Sequence, residues 1–304
     1  MALVKDLGLR HVYSGKVREL FEVDDEHLLM VASDRMSAYD VVMNEPIANK
    51  GRVLTGLTDF WVREYFDTMP SALVSCFPDE IDAWIPGFEE ATSWHGRSML
   101  VRRAQMVPLE CIVRGRLAGQ AFDEYVVTGT VHHMAVASGL ELTDPFDEPI
   151  FTPSTKAESG HDLNIDLDEA ANIVGVELVE RASELCRDIF TRAAAHLAAR
   201  GLVLADTKFE LGFVDDELVV CDEVLTPDSS RIWPAELVRR GEVPPAYDKQ
   251  PFRDWLNSIH WDRTPPPPPV PDDVAAITAE RYQSAYERIT GRSLSEWFGD
   301  PSIS

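Results

Sequence analysis

Leu202-Val-Leu204-Ala-Asp206-Thr-Lys208-Phe-Glu210-Leu-Gly212-Phe-Val214 is a strand with two unlike faces. Side chains alternate with period two along a strand, so Asp206, Lys208 and Glu210 point one way and Ala205, Thr207, Phe209 and Leu211 the other. Three ionisable groups in a row are costly to bury unless they bind one another, a metal or a ligand. The other reading is a solvated outer face. A second strand, Leu218–Cys221, follows the turn Asp215-Asp216-Glu217, giving a β-hairpin that ends at Asp222. A three-residue turn pairs Val214 with Leu218 and sets Glu210 opposite Asp222 on the same face; a two-residue turn throws Asp222 to the other face. With the first register, the two carboxylates favour a hard cation such as Mg²⁺, with nucleotide phosphates completing its shell and Lys208 meeting them.

Upstream, Val179, Ala182, Leu185, Cys186, Ile189, Ala193 and Leu197 recur at helical spacing up to Arg200-Gly201, predicting an amphipathic helix with a glycine C-cap. A Pro- and Gly-containing stretch, 129–162, precedes it. Before that come a helical pattern over Ala118–Val127 and two strand-like runs, Ser98–Ala104 and Glu110–Arg114, separated at Pro108. The first third is β-rich. A hairpin of Val17–Val23 and His27–Ala32 feeds a polar loop, Ser33–Asp40, and a helix is expected over Val53–Phe66. Downstream, Pro265–Pro269 with Pro271 reads as a stiff spacer, or as a ligand for an aromatic groove, ahead of a last helix over Asp272–Thr290.

The chain has 304 residues and a formal charge of −24, with a pI near 4.6. Nucleic acid and anionic membranes are repelled by such a field, so an anionic ligand needs a local basic pocket. Of six lysines, Lys16, Lys156, Lys208 and Lys249 fall in polar motifs. Cys76, Cys111, Cys186 and Cys221 have no metal-ligand spacing and read as buried thiols in a reducing compartment. Met1-Ala-Leu-Val-Lys-Asp-Leu-Gly8 has no signal-peptide pattern, and no run approaches the ~20 apolar residues of a membrane span. A cytoplasmic protein is expected.

Five further segments concentrate polar chemistry. Tyr13-Ser-Gly15-Lys16-Val17-Arg18-Glu19 puts a glycine and two cations in a strand turn, where backbone amides and positive side chains can cover a triphosphate, although the Walker and repeated-glycine spacings are absent. Ser33-Asp-Arg-Met-Ser37-Ala-Tyr-Asp40, Thr152-Pro-Ser-Thr-Lys156-Ala-Glu-Ser-Gly-His161-Asp162 and Asp228-Ser-Ser-Arg231 are dense in residues that also serve ordinary turns and caps. Arg114-Gly-Arg116 lies between a strand and a helix, where bidentate recognition of phosphate or carboxylate is at home; the plain alternative is two surface arginines.

In this order the segments resemble the signature set of the SAICAR synthetase family: Gly15-Lys-Val-Arg18, Ser33 to Asp40, Glu110-Cys-Ile-Val-Arg114, Thr155-Lys-Ala-Glu-Ser-Gly-His-Asp162, Asp206-Thr-Lys-Phe-Glu-Leu-Gly212 and Asp222-Glu-Val-Leu-Thr-Pro-Asp-Ser-Ser-Arg231, with Tyr247-Asp-Lys-Gln-Pro-Phe-Arg253 as a seventh. The resemblance implies a two-lobe α+β fold with a β-rich, kinase-like ATP-binding N-terminal lobe at 1–105, a larger mixed lobe for substrate and metal at 106–264, and a Pro-rich linker with a C-terminal helix at 265–304. It implies ATP as co-substrate, Mg²⁺ as cofactor, and the joining of CAIR to L-aspartate through an acyl phosphate.

By the same resemblance Gly15, Lys16, Val17, Arg18 and Lys208 address ATP, and Glu210 and Asp222 hold the metal beside it. Arg114, Lys156, Asp162 and Arg231 contact the nucleotide substrate or acyl centre, and Ser37 and Asp40 belong to the aspartate and substrate pocket. Lys208, Asp206 and Arg231 are the catalytic candidates, Asp206 as proton acceptor only by its place on the shared face. Gly119-Gln120 departs from the family's Gly-Ser. The competing readings are a kinase-like phosphotransferase, which needs no aspartate, and a nucleotide-binding regulator without turnover.

Overall fold

Short turns between alternating segments build an antiparallel sheet near the N-terminus of the computed structural model, which describes residues 7–66, 68–156, 163–247 and 250–297. β1 (Arg10–Ser14), β2 (Arg18–Glu22) and β3 (His27–Ala32) form a meander, and the hairpin β4 (Ser37–Ala38) and β5 (Val41–Val42) follows. Next come α1 (Lys50–Asp59), continued by a π-helical turn over Phe60–Tyr65, then β6 (Leu73–Ser75), α2 (Pro78–Asp82) and β7 (Ser98–Arg102). The sheet order is β1-β2-β3-β7-β6. Phe21, Leu29 and Leu100 are successive cross-strand partners, so one row of side chains meets Ile81, Ile85, Phe88 and Trp94 and closes a core.

A second sheet follows, beginning with β8 (Gln105–Met106) and β9 (Leu109–Arg116). After α3 (Gln120–Thr128) come β10 (Thr130–Val131), β11 (Met134–Ala135), β12 (Pro145–Thr155), α4 (Leu167–Val174) and α5 (Val176–Ala199). β13 (Leu202–Val214), β14 (Glu217–Cys221) and β15 (Ser230–Pro234) complete it. β13 is the spine: β9 and β8 pair along one edge, β15 and β14 along the other. α5 lays Val179, Ala182, Cys186, Ile189, Phe190, Ala193 and Leu197 onto the sheet, against β9, β12 and β13. Leu185 stays half-buried and Phe190 takes the deeper place.

Two expectations are corrected. The Pro- and Gly-containing stretch 129–162, to which the sequence assigns no element, contains the eleven-residue β12. Its prolines disguise it, and they are tolerated because β12 is the outer strand in the order β12-β9-β13-β14, where a missing N–H breaks no ladder. The hairpin turn has two residues, not three: Asp215 and Asp216 take left-handed φ of 51° and 63°, and Val214 pairs with Glu217. Such a turn matches the right-handed twist of its strands, and aspartate tolerates the left-handed region. Glu210 therefore sits opposite Cys221, not Asp222.

The chain ends in α6 (Gln250–Ser258) and α7 (Asp272–Thr290), the latter with the bounds its pattern predicts and Gly291 at φ 78° closing it. Two compact units result, Met1–Arg103 with Tyr247–Ser304, and Ala104–Ala246. Among the described residues no helix is long and apolar enough to cross a membrane.

Candidate active site

Strand register gathers the polar face. Asp206 pairs with Arg114 and Lys208 with Ile112, while Thr152 pairs with Ile112 and Ser154 with Glu110. Directly opposed residues point to the same side, so Asp206, Lys208 and Glu210 share a surface with Glu110, Arg114, Thr152 and Ser154. The opposite side carries Cys111, Val113 and Phe209, all buried. Period two thus divides one sheet into a core face and a chemical face.

Lys208 is the centre of one cluster. Its Nζ donates to Glu110 Oε1 at 2.6 Å and lies 3.6 Å from Glu210 Oε1. Glu210 Oε2 accepts from Lys156 Nζ at 2.5 Å. Burial works against the charge on Lys208, but Glu110 and Glu210 outweigh it and hold its pKa above that of an ordinary lysine. The result is a fixed ammonium, suited to meeting anionic oxygens. Asp222 follows Cys221 with φ 59°, leaving the strand direction.

Arg114 organises a second cluster. Its side chain is 3% exposed, and its Nη1 donates to Asp206 Oδ2 at 3.0 Å. Nε donates to Thr152 Oγ1 at 3.0 Å, and Nη2 lies 3.2 Å from His132 Nε2. Arg231, delivered by β15 on the other edge of β13, donates from Nη1 to the same Asp206 Oδ2 at 2.6 Å. One carboxylate oxygen therefore serves two guanidiniums, and only Arg231, with a side chain 32% exposed, reaches solvent. Gly119 makes room for it: its φ is 56°, and a Cβ there would fall inside the Arg231 guanidinium.

The Gly15–Arg18 turn belongs to the other unit. Gly15 N donates to Arg18 O at 2.7 Å and Ser33 N to Val17 O at 2.8 Å. Arg35 spans it, donating Nε to Lys16 O at 3.1 Å and Nη2 to Gly15 O at 3.0 Å, with Nη1 2.6 Å from Glu19 Oε1. The Ser33–Asp40 loop is thus the brace of the glycine turn. Lys16 Nζ donates to Asp40 Oδ1 at 2.5 Å, both side chains more than half exposed. Ser37 pairs with Val42, Val17 is buried and Arg18 half-buried at the start of β2.

The structure brings Arg114, Asp206 and Arg231 together, gathers Lys156, Lys208 and Glu210, and joins Lys16 to Asp40. Asp162 lies outside the described residues. Glu110, Thr152, Gly119, Arg35 and His132 were not assigned roles from sequence. Glu110 was within reach, since it is four residues from Arg114 on a strand and so on its face; His132, in the Pro- and Gly-containing stretch, carried no signal. For Mg²⁺, Glu210 and Asp222 both carry carboxylate oxygens, the hard donors that this ion takes in company with phosphate oxygens; the two-residue turn removes the strand pairing that would have set them on one face, and Asp222 has left the strand, so the ladder no longer decides its side. Lys156 and Lys208 both pair with Glu210.

Residues 11–268 match the family model described as SAICAR synthetase. A phosphoribosylaminoimidazole-succinocarboxamide synthase from Saccharopolyspora erythraea is 48% identical, the alignment covering 94% of this chain and 95% of that one. One from Methylobacillus flagellatus is 42% identical over 94% and 96%. The structure of SAICAR synthase from Saccharomyces cerevisiae, complexed with SAICAR, superposes with a TM-score of 0.87 at 40% identity, over 95% of this chain and 97% of that one. The chain belongs to the SAICAR synthetase family.

Proposed function

We propose that this chain, an ATP-dependent ligase that forms SAICAR from CAIR and L-aspartate, works through an acyl phosphate and uses the polar face of β13 to hold the reacting anions. A carboxylate is a poor acyl donor. Attack of its oxygen on the γ-phosphorus of ATP expels ADP and turns that oxygen into a phosphate leaving group; the aspartate amine then attacks the acyl carbon, phosphate departs, and the amine proton is lost. Such steps crowd anions together, and fixed cations aimed at the developing charge lower the barrier. The observation that carries the reading is the ammonium of Lys208 held between Glu110 and Glu210 on the face that bears the Arg114–Asp206–Arg231 cluster.

In this reading Lys208 meets phosphate oxygens on the β13 face, and Lys16, Val17 and Arg18 of the glycine turn are the ATP-binding candidates of their own unit, the Gly15 amide being taken by Arg18 O. Glu210 and Asp222 hold Mg²⁺, which when bound neutralises phosphate charge. Arg231, backed by Arg114, meets the nucleotide substrate or the acyl centre, as do Lys156 and Asp162 in the same reading; Ser37 and Asp40 are the aspartate and substrate candidates of the other unit. Asp206, with its Oδ2 given to two guanidiniums, holds Arg231 in place rather than taking the amine proton. The yeast relative was solved with SAICAR, and 40% identity supports the same product here. All four cysteines are buried outside any disulfide, which suits a reducing cytoplasm.

The test is ADP release by the purified chain with ATP, Mg²⁺, CAIR and L-aspartate, each omitted in turn, with the product weighed for the added aspartate. Release requires both CAIR and aspartate, and Lys208→Ala lowers the rate by about 10³-fold, the scale of losing one preorganised electrostatic contact, with the fold retained. ADP release indifferent to aspartate would mean a kinase or an ATPase, and near-normal turnover by the variant would remove Lys208 from the phosphate site.

A further inference from the structure

We infer that His132 is a positioning residue for the nucleotide-substrate clamp, holding the Arg114 guanidinium in the orientation from which Asp206 presents Arg231. The inference rests on the reading of Arg114 and Arg231 as that clamp.

His132 is fully buried. Its Nδ1 lies 2.8 Å from the carbonyl oxygen of Pro153. A carbonyl only accepts, so Nδ1 carries the proton and, in the neutral ring, Nε2 is left as an acceptor. Arg114 Nη2 supplies the donor at 3.2 Å. The guanidinium is thereby fixed on three sides by three different acceptors: Thr152 Oγ1 at Nε, Asp206 Oδ2 at Nη1 and His132 Nε2 at Nη2. A planar fork held at three points cannot rotate about its own bonds, and Asp206, bonded to it, passes that fixity to Arg231.

The backbone is shaped to put this ring inside. His132 and His133 occupy the turn between β10 and β11 with left-handed φ of 47° and 61°, unusual for two consecutive residues that are not glycine. Glu124 of α3 secures the turn, accepting from His133 N at 2.9 Å and from Thr130 Oγ1 at 3.0 Å, with Asn164 Nδ2 at 3.2 Å. Of the two turn histidines, His133 has a side chain 55% exposed and His132 is swallowed. Burial, and then the facing Arg114, push the imidazole pKa down to about 4; Pro153 and Glu124 pull the other way and His133 adds to the push. The ring stays neutral near pH 7, the only state in which Nε2 can accept from a guanidinium.

Steady-state KM values for CAIR, ATP and aspartate, measured separately for His132→Phe, His132→Gln and Arg231→Gln, test the idea, with circular dichroism and melting checked for each. Removing an acceptor from a charged donor predicts that His132→Phe raises the CAIR KM about 10-fold or more, leaves the ATP KM within about twofold, and that His132→Gln, whose amide oxygen can accept again, recovers most of the loss. If the Phe ring does not fit, His132→Met removes the acceptor with a flexible apolar chain. A folded Phe or Met variant that moves all three KM values alike, or none, overturns the positioning role while a raised CAIR KM in Arg231→Gln leaves the clamp standing. An unmoved CAIR KM in Arg231→Gln removes the clamp reading itself.

Discussion

Asp206 and Asp59 are equally hidden, 4% and 2% exposed, and they settle their charge in opposite ways. Asp206 sits mid-strand, where β9 and β15 bring a guanidinium to it from either edge. Asp59 is the last residue of α1, and the chain runs on through the π-helical turn Phe60–Tyr65, so its cation comes from its own helical stretch, one turn on. Arg63 Nε stands 3.9 Å away, the Cys76 thiol bonds the carboxylate, and Oδ1 is buried without a hydrogen-bond partner among the described residues. Burial accordingly drives its pKa up to about 6, with Arg63 opposing and Glu64 adding to the rise. A sheet can deliver opposite charge from two neighbours at bonding distance, and one helix face cannot. That is why Asp206 stays in a buried ion pair on the sheet while burial raises the pKa of Asp59.

Arg114→Met should break the comparison most severely. Removing one partner of a buried pair leaves an uncompensated charge, costing about 3–5 kcal/mol, and urea unfolding should register it. Asp206 would then stand as Asp59 does, with Arg231 as its one remaining partner. Replacing both members, Arg114→Met with Asp206→Leu, should recover most of the stability and none of the ADP release, because an apolar pair of similar size fills the space but presents no cation. A single variant losing less than about 1 kcal/mol, the range of exposed pairs, would show that Asp206 was never dependent on Arg114.

Asp59→Asn sharpens the other side through pH. Between the ordinary aspartate pKa of 3.8 and about 6, the unfolded chain has released the proton that the folded chain keeps. Folding stability from this group is therefore present in acid and lost as pH rises through that window, by about 3 kcal/mol at most. His132 has the opposite sign: unfolded it titrates near 6.5 and folded at about 4, so its contribution is lost as pH falls through the same range. The two nearly cancel in the parent chain. Relative to the parent, Asp59→Asn should be stabilising at pH 7 and lose that advantage by pH 4, read as the difference between two melting curves. A difference that does not change with pH would mean that Asp59 is ionised throughout.

Strand alternation made Asp206, Lys208 and Glu210 legible as one face, and helical spacing gave α5 and α7, because a period is a local property of sequence. The partners of that face were not legible. The register of β14 beside β13 depends on the Asp215-Asp216 turn choosing two residues over three, a difference of small backbone energies that nonetheless moves Asp222 off the position facing Glu210, and β9 and β15 arrive from far along the chain. β12 was hidden by prolines whose cost vanishes only because it is the outer strand. His132 acquires meaning only once Pro153 and Arg114 arrive from other strands.

Gly119 joins the local to the distant, and its substitution is the finest cut into the Asp206 cluster. Its backbone, φ 56° and ψ −139°, lies in a region that is essentially glycine's own, and a side chain there costs about 1–3 kcal/mol in strain alone. The same Cβ would occupy the guanidinium position of Arg231. Gly119→Ala must therefore either distort the entry to α3 or turn Arg231 away from Asp206. The second outcome leaves Asp206 paired to Arg114 alone, midway between the two aspartates compared above. The CAIR KM should rise about 10-fold, in line with a displaced charged contact, while the Arg114–Asp206 pair keeps the core folded. The separate strain cost is measured by Gly119→Ala in an Arg231→Gln background, where the clash with the longer guanidinium is relieved. If the substitution costs as much stability there as in the parent, backbone strain is the whole effect and Arg231 had room to move; if it costs less, the glycine is there to seat the arginine.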